Sequence, residues 1–248
     1  MEEKRVTTVL RLCGGLALLA TPALSQSIAV GTNVQVSASH AGINHYEVEL
    51  RAHPTDANRL IACSMFREEG RFGLRVWVSG DAGRSWQHSL DVTEGSAADP
   101  TCAFARNGTA YFVATTTGTD RFRVYRSPDG GRNWLPPMLT PESPGLDRQY
   151  IAVDNSGGPN DGTVYLTSWG EAAPTAGSAA SESGGPSLIN LWTSLDSGLT
   201  WSAAAQMPAS QGFRFDNSSI PVIARDGSVL MSVIESEFDG SGGARREG

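Results

Sequence analysis

A short aspartate-containing motif occurs three times in this chain, and it restricts the possible folds more than any other feature. Its pattern is Ser-x-Asp-x-Gly-x-(Ser/Thr/Asn)-Trp, and the copies occupy residues 79–86, 127–134 and 194–201. In a tight turn the Asp accepts backbone N–H groups and the Gly supplies a positive φ angle. The Trp then carries a large apolar surface into the interior. Three copies of one turn predict a repeat architecture.

The motif predicts structural roles for its defining residues. We expect each carboxylate to be used by its own turn and each Trp to anchor a core, so neither takes part in chemistry. These residues are Ser79, Asp81, Gly83, Trp86, Ser127, Asp129, Gly131, Trp134, Ser194, Asp196, Gly198 and Trp201.

The segments between the motifs repeat as well. Each unit opens with an acidic residue on a short strand and continues with an apolar strand, a polar loop, a third strand, the aspartate turn and a fourth strand. The opening acids are Glu47, Asp99, Asp147 and Asp216. The motifs start 48 and then 67 residues apart, because Gly170 to Pro186 forms an insertion rich in Ala, Ser and Gly. We expect this insertion to be a mobile loop.

Units of about 40 to 50 residues with four short strands are typical of β-propeller blades. The sequence therefore predicts an all-β protein, a β-propeller of four-stranded antiparallel blades joined by aspartate turns. A further strand is predicted at Asn33–Ala38, before the first unit. The chain ends inside the fourth unit, so we expect a fragment with about 3.5 of about six blades. Residues 26–248 are predicted to form this single, C-terminally truncated domain.

The N-terminus has the pattern of a signal peptide over residues 1–25. A positive start is followed by a short apolar run and by the small-x-small sequence at Ala23–Ser25. The run is shorter than the ~20 residues that span a bilayer, so we expect no membrane span and a secreted or periplasmic protein. The net charge of −7 argues against nucleic acid as a partner.

The mature chain would keep two cysteines, Cys63 and Cys102. An exported protein can form a disulfide between them. Both lie in strand-like apolar segments, where buried free thiols are also common. The sequence leaves the two alternatives open.

The repeated turn resembles the Asp-box, or BNR repeat, of the sialidase superfamily. Two further phrases are similar to bacterial exported sialidase-like proteins, one at Asp99–Tyr111 and one at Asp147–Tyr165. The resemblance spans roughly residues 44–235. It implies that the Asp-boxes lie between the third and fourth strands of each blade, on the face away from the ligand site.

The resemblance also implies a position for the ligand site. The first strand of each blade would start at the opposite face, around the mouth of a central channel, so Glu47, Asp99, Asp147 and Asp216 would line it. A sialidase grips a carboxylate with Arg and uses an Asp as acid/base and a Tyr as nucleophile. We therefore take Asp99, Asp147 and Arg148 as the candidate catalytic residues. The other ligand-face candidates are Glu47, Arg67, Arg121, Tyr150 and Asp216.

A ring of carboxylates at a channel mouth has three interpretations. The carboxylates could supply acid/base groups to a glycosidase, bind a cation such as a structural Ca²⁺, or cap their own loops. The histidines show no metal-ligand spacing, and no metal or cofactor is predicted.

Two functions follow from these patterns. The first is an exported sialidase-like propeller that acts on or binds glycans, and its partner would be a glycan or other small ligand at the channel mouth. The alternative is a non-catalytic Asp-box propeller that serves as a binding or assembly scaffold. The Arg-Ile-Pro phrase of sialidases is absent near the first unit, where residues 45–51 read His-Tyr-Glu-Val-Glu-Leu-Arg. This absence favours the alternative.

Overall fold

The computed structural model describes residues 31–94, 97–116, 120–143, 146–171 and 187–237. The predicted signal peptide, residues 172–186 of the predicted insertion and the segment after residue 237 lie outside these ranges. The chain divides into two compact units, Met1–Asn33 and Val34–Gly248. Only residues 31–33 of the first unit are described, and they form neither helix nor strand. All the helices and strands that follow belong to the second unit.

The described residues form an all-β structure with one 3-10 helix, Ala38–His40, and no α-helix. The first sheet contains β1 (Asn44–His53), β2 (Asp56–Glu68), β3 (Arg71–Ser79) and β4 (Gln87–Val92). The second contains β5 (Ala97–Phe104), β6 (Ala110–Thr116), β7 (Phe122–Ser127) and β8 (Met138–Leu139). The third contains β9 (Asp147–Val153), β10 (Val164–Glu171), β11 (Ser187–Ser194) and β12 (Ala205–Pro208). Each sheet is an antiparallel meander in chain order, as in a propeller-like fold.

The fourth unit consists of four shorter strands. They are β13 (Phe213–Ser218), β14 (Val222–Ile223), β15 (Val229–Leu230) and β16 (Val233–Glu237). The strand β13 pairs with β16, and β14 pairs with β15. Together they form one interrupted hairpin, which turns between residues 223 and 229.

The sheets pack face to face, and two buried apolar layers lie between them. Cys63 and Val76 of the first sheet meet Phe112 of the second in one layer. Val113 of the second sheet meets Leu166 and Trp192 of the third in the other layer. Because neighbouring residues of β6 point into different layers, this strand is an almost uninterrupted apolar run, as expected for a strand buried on both faces.

The three aspartate turns have nearly the same hydrogen bonds. In the second, Ser127 Oγ donates to Asp129 Oδ1 (2.7 Å), and Asn133 donates to the same carboxylate through its backbone N (2.9 Å) and its Nδ2 (2.7 Å). Gly131 donates to Ser127 Oγ (2.7 Å) at a φ of 90°, and a Cβ there would lie 2.6 Å from Val78 Cγ1. Only glycine fits this position.

These bonds stabilise the charged form of each carboxylate. They lower the pKa of Asp81, Asp129 and Asp196 to about 2, and the side chain four residues later is the main donor in every turn. The carboxylates are therefore saturated with donors from their own turns, which leaves them little capacity for other chemistry.

Replacing Asp129 by Ala should lower the free energy of unfolding by about 1 to 3 kcal/mol, because the donors of the turn lose a charged acceptor. Urea denaturation at pH 7 measures this loss. Asp120→Ala is the matched control, because Asp120 is exposed and no side-chain hydrogen bond is described for it. Equal stabilities of the two variants would contradict a structural role for the turn.

One expectation from the sequence is wrong in the structure. The predicted strand Asn33–Ala38 does not form, because it pairs with no described strand and the chain turns into the 3-10 helix, where His40 N donates to Ser37 O (2.8 Å). Of the two alternatives left open for the cysteines, the structure has the free thiols: Cys63 and Cys102 are not bonded to each other and are fully buried. Burial and the neighbouring Cys102 raise the pKa of the Cys63 thiol well above its usual value. Both thiols pack as small apolar groups between the first two sheets.

No helix among the described residues is long and apolar enough to cross a membrane.

Candidate functional site

Among the first strands of the three complete sheets, β5 lies beside both β1 and β9, and the three strands line an open cavity of about 230 Å³. Its walls combine acidic, basic and apolar side chains. The lining residues are Glu47, Val48, Glu49, Asp99, Pro100, Arg148, Gln149, Tyr150 and Ile220. Four of the residues predicted from the sequence, Glu47, Asp99, Arg148 and Tyr150, therefore meet in one place.

A β-bulge interrupts each of these strands at the cavity. The pairing register shifts between Tyr46 and Glu49 in β1, between Ala98 and Thr101 in β5, and opposite Thr167–Trp169 in β9. The first bulged residue is non-glycine in all three strands and has a positive φ, 51° at Glu47, 52° at Asp99 and 48° at Arg148. Bulges and left-handed non-glycine residues are both enriched next to functional sites.

The bulges correct the register assigned from the sequence. Arg148, and not Asp147, is the counterpart of Glu47 and Asp99, because each of the three occupies the first position of its bulge. Asp147 precedes the bulge and pairs with Trp169. The third strand thus places a cation at the position where the first two strands have acids.

Asp99 and Asp147 form a pair of interacting carboxyl groups. Burial, a hydrogen bond to Asp147 and the charges of Asp147 and Glu47 raise the pKa of Asp99 to about 7, against the opposing effect of Arg148. At neutral pH the Asp99 carboxyl is therefore substantially protonated and able to donate a proton. Neighbouring side chains hold the backbone of both residues. Ser168 Oγ donates to Asp147 O (2.8 Å), and Asp99 N donates to Glu47 Oε2 (3.2 Å).

A second acid, Glu49, lies deeper in the same wall. Burial raises its pKa, while the charge of Arg51 and hydrogen bonds from Thr101 and the Cys102 backbone oppose this rise. The Arg51 Nη2 atom lies 2.5 Å from Glu49 Oε1. This ion pair neutralises the acid, so we assign Glu49 to the lining of the cavity and not to its reactive groups.

Three predicted ligand-face residues are not placed at the cavity. The Arg67 guanidinium lies over the Phe72 ring, 5.4 Å from its centroid, and Arg121 donates to Glu142 Oε1 (2.7 Å). Neither residue lines the cavity: Arg67 lies near the end of β2, and Arg121 lies between β6 and β7. Asp216 lies in β13, where the register is also irregular, but its side chain is outside the described residues.

Glu49 and Gln149 also line the cavity and were not predicted from the sequence. The pattern around Glu49 is misleading, because the apolar alternation of Val48 and Leu50 predicts Glu49 on the solvent side, whereas in the structure Val48 and Leu50 are exposed and Glu49 is half-buried. Gln149 had no recognisable signal: a glutamine beside Asp147 and Arg148 reads as one more surface residue, although it is only 1% exposed in the structure.

Metal ligands are not assembled here. Among the residues that the structure describes, no group of three or more His, Cys, Asp or Glu side chains has a geometry that could hold a metal ion.

No protein-family model matches this sequence, and a comparison with curated proteins gives no match. Among solved structures, a protein of unknown function from Dyadobacter fermentans is similar, with a TM-score of 0.58 and 15% identity over 78% of this chain and 63% of that chain. An α-L-arabinofuranosidase from Fusarium graminearum gives a TM-score of 0.48 at 15% identity, over 72% of this chain and 52% of that chain. An exo-β-1,3-galactanase from Clostridium thermocellum gives 0.48 at 10% identity, over 79% and 47%. The chain spans less than two thirds of each of these proteins, and the similarity concerns the fold alone.

Proposed function

We propose that this protein is an exported, sialidase-like glycoside hydrolase that acts on glycans at the cavity between β1, β5 and β9. The observation that carries the proposal is the Asp99–Asp147 pair. A carboxyl in a cavity whose pKa is raised to near neutral pH is the kind of general acid that glycosidases use to protonate a leaving group, and here Asp147 contributes to the rise. The sequence resemblance to the Asp-box propellers supports the same class.

In this proposal Asp99 donates its proton to the glycosidic oxygen. The hydrogen bond between the two carboxyl groups brings them too close to flank a bond, since the two carboxyls of a retaining glycosidase are about 5 Å apart. Asp147 therefore acts on Asp99, whose proton it shares. The opposite side of the scissile bond requires a further group.

The cavity offers two such groups, Glu47 and Tyr150, and they correspond to different substrates. A neutral sugar would be attacked either by a water that Glu47 activates as general base or by the Glu47 carboxylate itself, as in glycosidases with two acids. An acidic sugar would be held by the exposed guanidinium of Arg148 and attacked by the Tyr150 hydroxyl, as in sialidases. We favour the second, because a lone cation at the equivalent position of two acids suits a carboxylate-bearing sugar.

The experiment is a turnover assay on the purified chain with a fluorogenic sialoside and a panel of neutral aryl glycosides. Release of the fluorophore from the sialoside, and its loss in both Tyr150→Phe and Arg148→Gln, would support the sialidase-type reaction. Turnover of neutral glycosides that depends on Glu47 would replace it with the two-acid reaction.

The alternative function, a non-catalytic scaffold, is distinguished in the same preparation. Isothermal titration calorimetry with the free sugars would then show binding that Asp99→Asn leaves intact, without turnover of any glycoside. Absence of both binding and turnover would contradict the proposal altogether.

A further inference from the structure

Gln149 is a buried polar residue at the centre of the candidate site. It lies on β9 between Arg148 and Tyr150, and its side chain is inaccessible to solvent. Both polar atoms of the carboxamide are bonded to the second sheet. Nε2 donates to Ala98 O (3.3 Å) and to Asp99 O, and Oε1 accepts from Thr115 Oγ1 (2.6 Å). A buried amide with these partners is fixed, because any rotation would leave a polar atom unpaired.

Asp99 needs such support, because its backbone conformation is unfavourable on two grounds. Its φ of 52° lies in the left-handed region, which costs a non-glycine residue free energy. It also precedes Pro100, and a residue before proline prefers an extended conformation. Left to its local preferences, the chain at Asp99 would straighten and direct its side chain elsewhere.

The two peptide groups that flank Asp99 are held from both neighbouring sheets. Glu47 of the first sheet accepts the Asp99 N–H (3.2 Å), and Gln149 of the third sheet binds the carbonyl oxygens before and after Asp99. Glu47 and Gln149 together form a clamp on the backbone of Asp99. Gln149 is its buried member, whereas Glu47 is exposed.

We propose that Gln149 is a positioning residue, whose carboxamide holds Asp99 in its left-handed backbone conformation and so directs the Asp99 carboxyl to Asp147. The catalytic meaning of this role rests on the proposed function, but the role itself is measurable without turnover.

The test follows the titration of the Asp99 carboxyl by NMR in protein labelled with ¹³C-aspartate, with the signal assigned from its loss in Asp99→Asn. Asp147, Glu47 and Arg148 are the charged groups that face Asp99. In Gln149→Leu, which keeps the volume and removes all three hydrogen bonds, Asp99 should move away from Asp147. Its titration midpoint should then fall from about 7 by about one pH unit or more toward the ordinary value for Asp.

Two further variants complete the design. Thr115→Val removes only the bond that anchors Gln149 Oε1, so it should shift the midpoint in the same direction by a smaller amount. Gln206→Leu is the matched control, because it removes a glutamine hydrogen bond to Asn190 in the third sheet and should leave Asp99 unchanged.

The outcomes separate this inference from the proposed function. A folded Gln149→Leu protein with an unshifted Asp99 midpoint would overturn the positioning role, and if that variant does not fold, an unshifted midpoint in Thr115→Val would do so. A shifted midpoint in a protein that hydrolyses no glycoside would support the positioning role and contradict only the proposed function. A wild-type Asp99 midpoint near the ordinary value would overturn both.

Discussion

Replacing Asp99 by asparagine is expected to lower kcat for glycoside hydrolysis by about 10²- to 10⁴-fold, the usual contribution of a general acid. Asparagine keeps the size and the backbone contacts of Asp99 but has no acidic proton to transfer to a leaving oxygen. Steady-state kinetics with the best substrate of the panel measures the loss. The KM should change little, because the ground state does not use this proton.

The pH dependence follows from the same group. Asp99 is active when protonated, so wild-type activity should fall as the pH rises through about 7. In Asp147→Asn the like charge is gone while burial remains, so the alkaline limb of the profile should move to lower pH. An Asp147→Asn profile identical to that of the wild type would contradict the coupling of the two carboxyls.

Stability provides a check that needs no substrate. The pKa of Asp99 is higher in the folded state than in the unfolded state, so the folded chain binds more protons and loses stability as the pH rises from about 4 to about 7. Asp99→Asn removes this loss. Its thermal midpoint should exceed that of the wild type at pH 8 and approach it at pH 4. Asp161→Asn, an exposed acid outside the cavity, is the control.

Much of the fold could be predicted because its signals are local. Each aspartate turn is specified by residues within eight positions, and the run from Ala110 to Ala114 indicates a strand buried on both faces. The placement of Glu47 and Asp99 at one cavity followed from the repeat, since equivalent positions of stacked units lie side by side. The structure agrees at these points because local preference and tertiary packing favour the same conformation.

The remainder depended on contacts between residues far apart in the sequence. The same bulge interrupts β1, β5 and β9, and no local pattern shows where it lies. The sequence therefore aligned Asp147 with Glu47 and Asp99 by its charge, whereas Arg148 occupies the equivalent bulge position. The hydrogen bonds of Gln149 to the backbone around Asp99 join residues about fifty positions apart in the sequence, and no sequence pattern near Gln149 predicts them. The sequence left open whether Cys63 and Cys102 are buried free thiols or a disulfide. Their packing beside each other depends on how the first two sheets stack.

The stacking of the second and third sheets is best tested at Trp192, where replacement by Ala should lower the free energy of unfolding by about 3 to 5 kcal/mol. The side chain is fully buried between the second and third sheets, and its ring meets Phe122 edge to face at 5.6 Å. Because domains of this kind are stable by only about 5 to 15 kcal/mol, the variant should unfold at a much lower urea concentration.

Two variants show whether the loss at Trp192 arises from packing. No hydrogen bond is described for the buried Trp192 Nε1 atom, so Trp192→Phe gives up volume but no bond and should retain most of the stability. Trp86 is half-buried and donates to Gly83 O (3.1 Å), so Trp86→Ala should cost less than Trp192→Ala. If Trp192→Ala instead stayed within about 1 kcal/mol of the wild type, the second and third sheets could not be packed around this ring. The strand β9 would then lose the support that places Asp147 and the cavity residue Arg148 beside Asp99.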